Sequence, residues 1–91
     1  MALLDLLGRR GALRIVWELR DRALNFRSLV QAAESNPAGI NTRLKELRAA
    51  GIVDLAEEGY ALTPEGKTLL QCLLPLHHWA DNWAQRPRNT P

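Results

Sequence analysis

Ser35-Asn36-Pro37-Ala38-Gly39-Ile40-Asn41-Thr42-Arg43-Leu44-Lys45-Glu46-Leu47 is the stretch on which the fold turns. Asn36 suits a helix N-cap, because its side-chain oxygen can accept from a free backbone N–H of the first turn. Pro37 follows at the first helical position, where the missing N–H costs nothing and φ is already set. Ile40, Leu44 and Leu47 then recur at i, i+4 and i+7, one apolar stripe of an amphipathic helix. Gly51 supplies the left-handed stop after Ala49-Ala50. With that stripe inward, Pro37, Ala38, Asn41, Thr42 and Lys45 face outward. Gly39 is the cost, about 1 kcal/mol relative to Ala inside a helix.

Upstream, Asn25 can cap a helix over 26–33, with Leu29, Val30 and Ala33 on its buried side and Arg27 in its first turn. A helix over 12–21 precedes it, with Leu13, Val16, Trp17 and Leu19 or Arg20 at helical spacing and Trp17 expected inside. Leu3, Leu4, Leu6 and Leu7 form a short apolar opening that ends at Gly8. Downstream, the period changes from helical to extended: strands over 52–56 and 60–62 flank Glu57-Glu58-Gly59, a three-residue hairpin loop with Gly where φ is positive. Thr63 caps and Pro64 opens a last helix reaching about Gln85, within which Pro75 predicts a kink or a break. Two short helices, a capped third helix and a hairpin, in that order, are a winged helix-turn-helix, mainly α with a two-stranded β wing. Residues 1–85 are one domain whose terminal helices are free to dimerise, and 86–91 are a tail.

Composition narrows the function classes. The chain has 91 residues, 46% hydrophobic and 24% charged, so it folds as one small domain for which apolar area buried in a dimer is a natural supplement. The net charge of +2 is unevenly spread: residues 8–27 hold six Arg against two acids, whereas 54–65 hold four acids and no base. The single cysteine, Cys72, excludes an internal disulfide. Its apolar neighbours favour a buried, inert thiol over a redox switch across a dimer axis. His77, His78 and Asp81 are too few for a metal site and are expected on an exposed helix face; no metal or cofactor is expected. No stretch reaches transmembrane length, so no membrane partner is expected and a cytoplasmic location fits. No nucleophile, base and orienting group occur together, which argues against an enzyme.

Asn25-Phe26-Arg27-Ser28-Leu29, then Thr42-Arg43-Leu44-Lys45-Glu46-Leu47 with Ala50-Gly51-Ile52-Val53, then Tyr60-Ala61-Leu62-Thr63-Pro64-Glu65-Gly66-Lys67, and finally Leu76 with Trp79-Ala80, resemble the HxlR-type branch of bacterial winged-helix regulators, related to the MarR group. The resemblance implies a cytoplasmic homodimer that binds double-stranded DNA and regulates transcription, its third helix in the major groove. By position it puts Asn36, Ala38, Asn41, Thr42, Arg43 and Lys45 on the recognition helix and Arg27 and Ser28 on phosphate. Leu3, Leu6, Leu7, Leu73, Leu76, Trp79 and Trp83 are the expected dimer interface. Trp79 and Trp83 are most simply dimer packing or a lid on the core, and a pocket between subunits for a small-molecule effector of unknown kind is the sharper alternative. Three features depart from the family pattern: the wing tip is acidic, so no wing contact is assigned, Gly39 sits inside the recognition helix, and no Cys precedes the first core helix, where redox-sensing members carry one. The competing reading is a winged helix turned into a protein-interaction or assembly module without specific DNA binding.

Overall fold

Asn36 Oδ1 accepts from the Gly39 N–H at 2.7 Å, and the helix it starts is α4 (Pro37–Ala49) in the computed structural model, which describes residues 2–87. Gly39 has a reason beyond tolerance. A Cβ there would lie 3.1 Å from Asn36 Oδ1, so the bare backbone leaves room for the cap. The stripe behaves as the spacing predicts: Ile40, Leu44 and Leu47 are buried.

Around α4 stand α1 (Ala2–Leu7), α2 (Ala12–Glu18), α3 (Phe26–Ala33), the antiparallel pair β1 (Val53–Ala56) and β2 (Gly59–Leu62), and α5 (Pro64–Gln85). Asn25 caps α3 through Ser28 N–H at 2.8 Å. The core joins Ile15, Val16 and Leu19 of the α2 region to Leu29, the α4 stripe, Ile52 and Val53. Each of these side chains contributes about 1.5–3 kcal/mol by leaving water.

The inward face of α2 is Ala12, Ile15 and Val16, continued by Leu19, rather than one centred on Leu13 and Trp17. Leu13 is 42% exposed and Trp17 is half-buried toward α5. Both stripes have helical spacing, and only the position of α3 and α4 selects between them. α2 also ends earlier than residue 21, at Glu18.

Ala56 pairs with Gly59, so the hairpin loop is the two residues Glu57-Glu58, one shorter than the sequence suggests. Gly59 keeps the positive φ, at 126°, but its main constraint is tertiary. Leu24 and Tyr60 exchange backbone hydrogen bonds of 2.9 and 2.8 Å, adding a third rung beside β2 that the sequence reading does not contain. A Cβ on Gly59 would lie 2.5 Å from the Leu24 carbonyl oxygen.

Thr63 Oγ1 accepts from Gly66 N–H at 3.0 Å and donates to the Gly51 carbonyl at 2.5 Å, tying the start of α5 to the end of α4. α5 runs unbroken through Pro75. Pro75 and Gln71 are both exposed, so the carbonyl deprived of its partner can bond water instead. Of the expected tail, Arg86 and Pro87 are described, and 88–91 lie outside the described residues.

Candidate nucleic-acid interface

Asn41, Thr42 and Lys45 all lie exposed on the outer face of α4, opposite its buried stripe, with Pro37 and Ala38 exposed at its leading turn. Thr42 Oγ1 donates to the Ala38 carbonyl at 3.0 Å, which leaves its methyl and a lone pair free. No exposed residue of α4 is acidic; its only carboxylate, Glu46, is half-buried. Such a face can offer hydrogen bonds and positive charge to an anionic surface without repulsion.

Two of the expected contacts are otherwise engaged. Arg43 Nε lies 3.0 Å from Glu46 Oε1, and the Arg9 guanidinium bonds the other oxygen of the same carboxylate. Arg43 is therefore turned toward the α1–α2 turn rather than outward with Asn41 and Lys45. Asn36 is exposed, but its side-chain oxygen is held by the cap. Arg27 is exposed in the first turn of α3 and makes no ion pair among the described residues; Ser28 beside it is half-buried, its N–H held by Asn25. The Arg9–Glu46–Arg43 cluster is absent from the sequence reading. Its one sequence signal is that Glu46 is the lone acid in α4 and has Arg43 three residues before it.

On α1 and α5 the expected interface residues divide. Leu6 and Leu7 are 9% and 8% exposed, spent inside the subunit because α1 packs back on α2, and Leu73 is half-buried against the same core. Leu3, Leu76, Trp79 and Trp83 remain open, between 42% and 56% exposed. Cys72 is exposed on α5, against the expectation of burial, because the helix turns its Leu69, Leu70 and Leu73 edge to the core. His77 Nε2 lies 3.4 Å from Asp81, and its ring packs on Trp17 at 4.5 Å between centroids. Among the described residues no three His, Cys, Asp or Glu side chains gather as metal ligands, and no helix is long and apolar enough to cross a membrane.

Comparison with known proteins agrees with this geometry. Residues 6–88 match the HxlR-like helix-turn-helix family. An uncharacterized HTH-type transcriptional regulator of Methanocaldococcus jannaschii, MJ0925, is 23% identical over 90 residues, which are 93% of this chain and 85% of that protein. Among solved structures, quinone-bound YodB from B. subtilis superposes with a TM-score of 0.81 at 28% identity, covering 89% of this chain and 93% of that one. Reduced HlyU from Vibrio cholerae superposes at 0.68 with 26% identity, covering 81% and 83%. The order of elements is that of a winged helix, and the chain belongs to the HxlR-like helix-turn-helix family, whose members are DNA-binding transcriptional regulators and not enzymes.

Proposed function

We propose that the chain acts as a homodimer that recognises specific duplex DNA sequences through α4. The observation that carries this reading is the acid-free face of α4, held by three buried side chains on one side and by the Arg9–Glu46–Arg43 cluster on another. A major groove about 12 Å wide admits one helix, whose leading half meets the base edges. Asn41 is suited to a bidentate contact with adenine, Thr42 and Ala38 to a thymine methyl, and Lys45 to guanine or phosphate. Arg27 and Ser28 at the start of α3 are the backbone contacts, and Arg27 is the stronger of the two because its charge is uncompensated. No phosphate contact is assigned to the acidic wing tip, Glu57-Glu58.

α5 supports the dimer. Leu69, Leu73, Leu76, Ala80 and Trp83 are spaced 4, 3, 4 and 3 residues apart, the period of a helix seam. Its first members rest on the subunit core and its last face outward; Leu3 and Leu4 of α1 are also exposed, and Leu3 lies near Glu65 at the base of α5. The two copies present two recognition helices to a two-fold operator.

Selection of bound duplexes from a random pool, followed by titration of two variants, tests the reading. Asn41→Ala costs about 1–3 kcal/mol on the selected site and little on random duplex. Arg27→Ala weakens both alike and lowers the salt slope. Equal losses on every sequence for Asn41→Ala would remove α4 as the reading element. A wild-type protein without saturable, salt-dependent binding would leave the assembly module as the function.

A further inference from the structure

A cleft of about 410 Å³ lies between the α1–α2 turn and the leading turn of α4, lined among others by Arg10, Gly11, Glu34, Asn36, Gly39 and Arg43. Neighbouring guanidiniums are already held inside the subunit, Arg9 and Arg43 sharing the one carboxylate of Glu46. Arg10 is exposed and makes no ion pair among the described residues. Glu34, the one acid of the cleft, is itself exposed and is not paired with it.

The backbone fixes where Arg10 stands. Arg9 N–H donates to the Leu6 carbonyl at 3.0 Å and Ala12 N–H to the Arg9 carbonyl at 3.1 Å, closing the turn on both sides. Gly11 holds φ at 91°, which an L side chain resists, and its position lies against Arg43 Cγ. The Arg9 contact with Glu46 then fastens the whole turn to α4. Arg10 is thus carried beside the leading end of α4 while not belonging to that helix.

We propose that Arg10 binds a DNA backbone phosphate on the wall of the groove that α4 enters, an assignment that rests on the DNA-reading function above. A helix seated in the groove has phosphates on either flank, and a cation next to the helix, rather than on its base-facing side, meets that flank. The planar guanidinium suits bidentate contact with phosphate oxygens, and its lack of a carboxylate partner means that no internal pair must break on binding. The contact is blind to sequence and positions α4 rather than reading bases.

Affinity of wild type, Arg10→Ala, Arg10→Lys and Arg27→Ala for a fluorescent random-sequence duplex, from about 50 to 200 mM salt, decides the matter. Arg10→Ala is expected to lower the slope of log K against log salt by about 0.9 for each subunit bound, equally on random and selected duplexes. Arg10→Lys is expected to restore the slope, and both variants to melt with wild type. If wild type binds steeply and Arg27→Ala flattens the slope while Arg10→Ala leaves it unchanged, Arg10 is no phosphate contact and the DNA-reading function stands. Loss of affinity at an unchanged slope overturns the assignment in the same way. If wild type shows no salt-dependent binding, the underlying reading fails and takes the assignment with it.

Discussion

At the base of α5, Gly66 is buried so tightly that a Cβ would lie 2.2 Å from the Ile52 carbonyl oxygen, whereas further along the same helix Leu76, Trp79 and Trp83 are 56%, 55% and 45% exposed. Both halves are rich in apolar residues, and composition does not separate them. The base is joined to the end of α4 through the Thr63 hydroxyl and to Ile52, the residue before β1, so its packing is part of the subunit's stability. The distal half passes beyond the core; there Trp79 and Trp83 stack on each other at 6.2 Å, with an interplanar angle of 16°, instead of filling a cavity. One half holds the domain together, and the other leaves its apolar side chains exposed. Trp17 and His77 mark the boundary, packed face to tilted face between α2 and α5.

Gly66→Ala is the sharpest way to break this contrast. The methyl has no space without moving the Ile52 backbone, and a loss of about 3 kcal/mol or more is expected, read as a fall in urea midpoint. A variant that melted with wild type would show that the base is not locked. Gly59→Ala comes next, at about 2–3 kcal/mol, because it combines a clash with Leu24 and a positive φ. Thermal melting is expected to fall by about 4–8 °C for each kcal/mol lost. Thr63→Ala removes the cap and the tie to Gly51 for about 1 kcal/mol. Thr63→Ser is expected to recover most of it, since the hydroxyl is the operative group.

The distal half is expected to answer in the opposite sense. Leu76→Ser and Trp83→Ala change subunit stability by no more than about 0.5 kcal/mol when measured on monomer, because neither side chain is buried there. Light scattering is the informative measurement for them: dimers at tens of micromolar, roughly, for wild type and monomers for the double variant. A wild-type monomer would remove the homodimer. A double variant that stayed dimeric would move the interface elsewhere, with Leu3 and Leu4 of α1 the next surface to test.

Local sequence determined the punctuation of this molecule. Asn25, Asn36 and Thr63 cap the helices they were expected to cap, Pro37 and Pro64 stand in first turns, and Gly51 and Gly59 hold positive φ. These features depend on residues within three or four positions of one another, so the nearest neighbours suffice to specify them. Tertiary structure decided what faces what. α2 had two apolar edges, and the arrival of α3 and α4 on the Ile15 edge left Leu13 outside. Cys72 had leucines on both sides in sequence, yet the helix period carried it away from the edge that meets the core. Glu46 holds Arg43 from three residues away, a pair the helix period allows, but the arrival of Arg9 on the same carboxylate is a contact between residues 37 apart in sequence. Such pairings depend on which element arrives across the fold, and their partners lie too far apart along the chain for periodicity or capping to specify them.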